Sequence, residues 1–209
     1  QDADLPVEVA GSRGLLDDPF VADAMAVLEV LDDPDAGDIL MRLLSGRTLR
    51  LGAADLTAFA AFVRASAIRV PDPGEPNGIR EERIGIVEGL DELLTLTDGP
   101  GAERTAVSEG TSATTPEQSR ALEAMTAEGR RRLALLGRTL RRLRQSTLTL
   151  PGLVRAAIRE TGVDTEVAAL APAYADLHTR ALDSLLSLVS RFAGEQPAGG
   201  PREFLRWTR

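Results

Sequence analysis

The sequence of 209 residues contains no cysteine and no lysine, and aromatic residues make up only 3% of it. Without cysteine, the chain can form neither disulfides nor thiolate metal sites, and this fits a reducing cytoplasm. Without lysine, it can house neither a P-loop, whose lysine contacts the β- and γ-phosphates of a nucleotide, nor a Schiff-base enzyme. The scarcity of aromatic residues leaves leucine, valine, isoleucine and alanine to form the core, and alanine and leucine favour helices.

Long apolar runs are missing as well. No run approaches the ~18 residues of a membrane span, and the sequence does not start with a signal peptide. We therefore expect no membrane partner and a cytoplasmic location. The net charge of −8 argues against a protein that coats nucleic acid in general.

Apolar residues recur at helical spacing along most of the chain, so we predict a mainly α, multi-helix bundle with at most a short N-terminal strand at Val7–Gly11. The first three helices are closely spaced, and we expect them to pack as one unit. Segments rich in proline, glycine, serine or threonine interrupt the pattern, and we expect mobile loops near 70–80 and 97–114. The predicted helices span residues 19–31, 35–44, 54–67, 84–96, 115–145, 151–162, 163–171, 172–192 and 201–209.

Several helix starts carry local signals. Asp17 or Asp18 can cap the first helix, with Pro19 at its first position, and Asp35 can cap the second. The segment Thr115–Gln118 has the pattern of a capping box, in which each of the two end residues bonds to the other's backbone N–H. These signals predict where helices begin and indicate no chemistry.

The predicted helix 115–145 combines a leucine seam with many arginines. Its apolar residues recur at spacings of three and four, which is more typical of packing in a bundle than of a coiled coil. The arginines on its other faces form either a solvated, locally paired surface or a surface that faces an anion. They are Arg130, Arg131, Arg132, Arg138, Arg141, Arg142 and Arg144.

Residue patterns for catalysis are missing. His178 is the only histidine, and a lone helical histidine is usually a surface residue or a hydrogen-bonded core residue rather than a metal ligand. Acidic pairs such as Asp17–Asp18 and Asp32–Asp33 fit helix capping and solvation. No nucleophile, base and orienting group are assembled by any motif. We therefore predict no catalytic residue, no metal site and no cofactor in this chain.

A basic turn at Arg47–Leu56 lies between two predicted helices. Gly46 stands where a helix C-cap glycine is expected, and Leu51 and Gly52 lie in the tight turn before the next helix. Such a turn can present backbone N–H groups and a positive helix end to a phosphate, and arginines beside it can hold a phosphate oxygen. The alternative is that the turn only redirects the chain.

Taken in order, several segments resemble the UvrD/Rep family of superfamily-one DNA helicases. The series is similar to the segment that enters the family's 2B subdomain, which is inserted within motor domain 2A. The resemblance covers nearly the whole chain, is strongest over residues 7–56, and points to members from high-GC Gram-positive bacteria. The matching segments are Val7–Gly11, Gly14–Asp17, Val21–Ala24, Asp33–Asp38, Leu43–Gly46, Arg50–Gly52, Asp55–Leu56, Ile86–Leu93 and Leu153–Ala169.

The resemblance implies a parent protein that is an ATP-dependent 3′-to-5′ DNA helicase of the bacterial cytoplasm, using ATP and Mg²⁺ in DNA repair or recombination. The family's ATPase motifs lie outside the matched segment, and this chain contains none of them. Residues 1–14 would be the edge of the missing motor domain and a hinge, residues 15–196 the helical 2B subdomain, and residues 197–209 a return helix. The implied partners are the motor domains of the same chain and, as in some relatives, a second helicase–nuclease subunit.

The family's 2B subdomain grips duplex DNA near a single-strand junction, partly through helix–hairpin–helix-like turns with an Ile-Gly or Gly-Ile-Gly core. Leu51 and Gly52 match this core, with leucine in place of isoleucine and Arg50 in place of the first glycine. Arg50 either strengthens the phosphate contact or crowds a close approach of the backbone. The resemblance implies duplex backbone contacts at Arg47, Arg50, Leu51 and Gly52. Further phosphate contacts are expected at Arg138, Arg141 and Arg142.

An alternative is a helical protein-interaction module of a helicase or helicase–nuclease complex, suggested by the acidic composition and the leucine seam.

Overall fold

The structure is a computed structural model that describes residues 12–33, 35–66, 68–71, 74, 79–98 and 114–209. These residues are mainly helical, which confirms the predicted fold class. The predicted strand Val7–Gly11 lies outside them, as does most of the loops predicted at 70–80 and 97–114. None of the described helices combines the length and the apolar character that a membrane crossing requires. The helices are α1 (Ser12–Leu16), α2 (Pro19–Asp32), α3 (Gly37–Ser45), α4 (Ala53–Ala65), α5 (Ile86–Asp98), α6 (Pro116–Ala124), α7 (Ala127–Gln145), α8 (Leu150–Glu160), α9 (Val163–Ala168), α10 (Pro172–Glu195) and α11 (Pro201–Trp207).

A two-stranded antiparallel sheet follows α4. Strand β1 (Ile68–Pro71) pairs with β2 (Ile79–Glu82), with Ile68 opposite Glu82 and Pro71 opposite Ile79. The expectation of at most a short N-terminal strand is therefore wrong, and Val70 and Pro71, expected in a loop because prolines and glycines crowd the segment that follows, belong to β1. Strands of four residues are too short for an alternating pattern to be recognised against such neighbours.

The chain divides into two compact units. The first contains Gln1–Asp32 and Ser146–Arg209, and the second contains Asp33–Gln145. The expectation that the first three predicted helices pack as one unit is therefore wrong, because α2 belongs to the first unit whereas α3 and α4 belong to the second. The predicted boundaries at 14/15 and 196/197 refer to a longer parent protein and stay a prediction.

The core of the first unit brings together helices that are far apart in sequence. Helix α2 packs against α8, α10 and α11, and α8 packs against α10. Phe192 and Phe204 are both fully buried, with ring centroids 5.4 Å apart. The apolar face of α2 therefore finds its partners more than a hundred residues further along the chain, and its own periodicity could not name them.

The second unit is built from two helix pairs, α4 with α6 and α5 with α7. Phe59 and Phe62 of α4 are fully buried. Gly137 lets α7 approach α5 closely, because a Cβ at this position would lie 3.0 Å from the Cδ1 of Leu94. The leucine seam of α7 is buried within this unit, so the predicted bundle packing is confirmed; its buried leucines are Leu133, Leu136, Leu140 and Leu143.

Two of the predicted helix caps are confirmed and one is wrong. The Oδ1 of Asp18 accepts from the backbone N–H of Phe20 at 2.9 Å and of Val21 at 3.2 Å, so Asp18 caps α2. Thr115 and Gln118 form the predicted capping box of α6. Asp35 does not cap α3, which begins at Gly37 after Ala36 and has no side-chain cap.

Candidate nucleic-acid interface

The turn between α3 and α4 begins at a glycine that is required for space. Gly46 ends α3 with φ −69° and ψ −179°, outside the left-handed region. A Cβ on Gly46 would lie 2.8 Å from the carbonyl oxygen of Arg42, which is closer than real Cβ atoms approach backbone. The turn then folds back, because Arg50 N–H donates to the Gly46 carbonyl at 2.8 Å and Leu51 N–H donates to the Leu44 carbonyl at 3.0 Å.

Arg50 holds an unusual backbone conformation at the end of this turn. Its φ of 49° is the only positive φ of a non-glycine residue in the described part of the chain. The left-handed region is the one that glycine adopts freely, and a residue with a Cβ pays about 1 kcal/mol to occupy it. The Arg50 side chain is exposed, and its Nε donates to the Arg47 carbonyl at 2.6 Å. Arg47 itself is half-buried.

The two residues after Arg50 face opposite environments. Leu51 is buried and anchors the turn in the core of the second unit. Gly52 is exposed and is the N-cap of α4, so no side chain caps the first N–H groups of this helix. A Cβ on Gly52 would meet nothing within 4 Å. Ala53 and Ala54 are exposed too, so the amino end of α4, where N–H groups lack helical acceptors, is open to a ligand.

A buried carboxylate joins this helix end to the start of α7. Asp55, in the first turn of α4, accepts from the backbone N–H of Thr126 at 2.7 Å and from its hydroxyl at 2.9 Å. The Thr126 hydroxyl in turn accepts from the N–H of Gly129 at 2.9 Å, so Thr126 caps α7. The prediction of a single helix over 115–145 is therefore wrong: α6 ends at Ala124 and α7 begins at Ala127.

Arg132 of α7 contacts the turn directly. Its Nη1 donates to the Leu49 carbonyl at 2.8 Å and to the Arg50 carbonyl at 3.2 Å. The residues in these contacts lie more than eighty positions apart, so the sequence did not predict that they would meet. The available signal was the arginine run Arg130–Arg132, which was recognised as basic but was not connected with the turn.

Glu128 lies one helical turn before these arginines and binds two of them. It accepts from the Nε of Arg131 at 2.8 Å, from the Nη2 of Arg131 at 2.9 Å and from the Nε of Arg132 at 2.7 Å. The hydrogen bonds from Arg131 and then from Arg132 lower the pKa of the Glu128 carboxyl to about 2. The carboxylate is therefore charged throughout the neutral range.

Further along α7, two arginines bind an acidic residue of α5. Arg141 and Arg144 both contact the carboxylate of Asp91, at 3.3 and 3.1 Å. Arg130 donates to the carbonyl of Met125 at 2.8 Å. These arginines, and the two that bind Glu128, have partners within the protein. For them, the alternative of a locally paired surface agrees with the structure. Arg138 and Arg142, the other two predicted phosphate contacts besides Arg141, are exposed.

His178 lies in the first unit and bonds to another side chain, which agrees with one of its two expected roles, that of a hydrogen-bonded residue. Its Nδ1 lies 2.6 Å from the Oδ2 of Asp18, the residue that caps α2. Its ring centroid is 4.7 Å from that of Phe20. Within the described ranges, no three histidine or acidic side chains are grouped so that they could hold a metal ion.

No protein-family model, no curated protein and no solved structure matches this chain.

Proposed function

We propose that this chain is the duplex-binding, regulatory 2B subdomain of an ATP-dependent 3′-to-5′ DNA helicase of the UvrD/Rep family, acting in bacterial DNA repair or recombination. The parent protein would hydrolyse ATP with Mg²⁺ in motor domains that are not part of this sequence. The subdomain would hold duplex DNA near the single-strand junction and would add no catalytic group of its own.

The backbone of Arg50 is the observation that carries this proposal. By the resemblance, Arg50 stands where the family's helix–hairpin–helix turn has its first glycine, and its backbone lies in the left-handed region that glycine adopts freely. The following Leu51 is buried like the apolar residue of that turn, and Gly52 is open. Contacts with Gly46, Arg47 and Arg132 hold this backbone conformation, and the exposed Arg50 stands two residues before the N-cap of α4, where its guanidinium can meet a phosphate.

The charge distribution also supports a backbone contact. The protein as a whole carries a charge of −8, whereas α7, which contacts the turn through Arg132, contains seven arginines and one glutamate. A local basic surface on an acidic protein favours binding to phosphates in one orientation over general coating of nucleic acid. Such binding should be independent of DNA sequence and should weaken steeply with salt.

The test is fluorescence anisotropy of a short labelled duplex with a single-stranded tail, titrated with the wild-type chain and with the Arg50→Glu, Gly52→Val variant. We expect the double variant to raise the Kd at least tenfold, because it reverses one contacting charge and blocks the open amino end of α4. The matched control is Gly14→Val with Arg155→Glu, which places the same changes at an equally open glycine and at an exposed arginine of the first unit. Equal Kd values for the wild type and the Arg50–Gly52 variant would overturn the site.

The alternative of a protein-interaction module was suggested by the acidic composition and by the leucine seam. The leucine seam that suggested it is buried between α7 and the rest of the second unit, so those leucines cannot pair with another protein without unfolding the unit. Light scattering of the purified chain tests what remains of this alternative, which requires a concentration-dependent complex.

A further inference from the structure

We propose that Arg131 and Arg132 form a phosphate-binding pair beside the Arg47–Gly52 turn, and that Glu128 is an internal anion that occupies the pair when DNA is absent. This inference rests on the proposed function and adds to it. It assigns the duplex contact of α7 to its first two turns, whereas the sequence had suggested Arg138, Arg141 and Arg142.

The two guanidinium groups converge on one anion. Arg131 binds the Glu128 carboxylate through two N–H groups, and Arg132 binds it through a third, all at 2.7 to 2.9 Å. The planar fork of arginine fits a carboxylate and a phosphate in the same bidentate manner. A phosphate of the DNA backbone can therefore take the place of the carboxylate with the same donors.

Arg132 contacts the turn and places the pair beside it. Arg132 also donates to the carbonyls of Leu49 and Arg50, so a phosphate held by its Nε lies next to the exposed end of the turn. The bonds from Thr126 to Asp55 hold the start of α7 against the start of α4. These contacts link Arg132 to Arg50 and to the start of α4, and Arg131 shares the Glu128 carboxylate with Arg132.

The pair differs from Arg141 and Arg144 in that its anion, Glu128, lies on the same helix. The Arg131 side chain is 70% exposed, and it can leave Glu128 without exposing any core. Arg141 and Arg144 are bound to Asp91 of a different helix, and their release would break a contact between α5 and α7. Arg138 lies six residues beyond Arg132, which is about 9 Å along the helix axis.

The exchange predicts opposite effects for neighbouring substitutions. Glu128→Gln removes the competing charge, so duplex affinity should rise about threefold or more at 0.15 M salt. Arg131→Gln removes one phosphate contact, so the Kd should rise about fivefold at that salt and the slope of log Kd against log salt should fall by about 1. In the double variant, the gain from Glu128→Gln should shrink because one of the released arginines is gone.

The experiment measures the Kd of the same labelled duplex at salt concentrations from about 50 to 200 mM for the wild type, the two single variants and the double variant. Glu123→Gln is the matched control, since Glu123 is exposed, lies in the same unit and changes the net charge equally. Thermal unfolding of each variant checks that the fold is kept, which is expected because these side chains lie at the surface.

Support requires Glu128→Gln to tighten binding more than Glu123→Gln does, and Arg131→Gln to lower the salt slope. If Glu128→Gln and Glu123→Gln act equally and Arg131→Gln leaves the slope unchanged, the pair is only a surface ion pair and the inference is wrong. The proposed function would survive that result as long as the Arg50–Gly52 variant still loses binding. If the wild type shows no salt-dependent duplex binding, the proposed function and the inference both fail.

Discussion

The carboxylate of Asp55 accepts both the backbone N–H and the hydroxyl of Thr126, and this contact joins the first turn of α4 to the first turn of α7. Asp55 is buried, and the two residues lie 71 positions apart. Helix α4 begins at the basic turn, and α7 carries Arg132, which contacts that turn. Asp55 therefore links the two parts of the proposed phosphate-binding surface and determines where α7 begins.

Replacing Asp55 with alanine should destabilise the protein by about 2 kcal/mol, because the N–H and the hydroxyl of Thr126 both lose their carboxylate acceptor. Urea unfolding monitored by circular dichroism measures this loss. Asp164→Ala is the control, because Asp164 is exposed. A loss for Asp55→Ala that is no larger than that of the control would contradict the linking role.

Gly129→Ala should cost about 1–3 kcal/mol, because its Cβ would overlap the Asp55 carboxylate in a packed region. The matched change Gly52→Ala adds the same methyl group where nothing lies within 4 Å and where φ is −73°, so its stability should stay within about 0.5 kcal/mol of the wild type. The comparison of the two unfolding curves is the measurement. Equal effects would show that the Asp55–Gly129 approach is looser than described.

Arg50→Gly should separate stability from binding. The glycine relieves the left-handed backbone and should raise the free energy of unfolding by about 1 kcal/mol, whereas loss of the guanidinium should raise the Kd for duplex DNA about fivefold. Arg50→Ala is the control, since it loses the charge and keeps the strain. Tighter DNA binding by Arg50→Gly would argue that the arginine obstructs the backbone approach.

The Glu128 ion pairs predict a pH dependence on the acid side. The pKa of the Glu128 carboxyl is lowered from 4.5 to about 2 in the folded protein, first by the hydrogen bond from Arg131 and then by that from Arg132. A depressed folded pKa contributes stability that is present above the unfolded value and is lost as pH falls through the folded value. The Tm difference between wild type and Glu128→Gln should therefore shrink from pH 4.5 to about pH 2. A difference that is constant over this range would contradict the bound carboxylate, with Glu123→Gln correcting for general charge effects.

Local signals predicted much of this fold. Asp18 with Pro19, the Thr115–Gln118 box and Gly46 each mark a helix end through contacts within four residues, and a sequence shows such contacts directly. The break between α6 and α7 depends on Asp55, which is distant in the chain. The regular spacing of the leucines continues across the break and therefore predicted one helix instead of two. The division into two units also depends on distant contacts. The apolar face of α2 shows that this helix is buried but does not show which helices it packs against.

The candidate site divides in a similar way. Arg47, Arg50, Leu51 and Gly52 were identified because a glycine between two helical patterns marks a turn. The left-handed backbone of Arg50 could not be read from the residue type, because arginine rarely adopts it. The contacts of Arg132 with the turn carbonyls depend on tertiary packing alone. The sequence does not show that the arginine run and the turn lie close together.

The most direct test of the central claim is the salt dependence of duplex binding by this chain, compared between the wild type and the Arg50→Glu, Gly52→Val variant. The account predicts that the wild-type Kd rises steeply from about 50 to 200 mM salt and that the variant has both a higher Kd and a smaller slope. Identical slopes and Kd values for the two proteins, or a wild type that does not bind at the lowest salt, would contradict it.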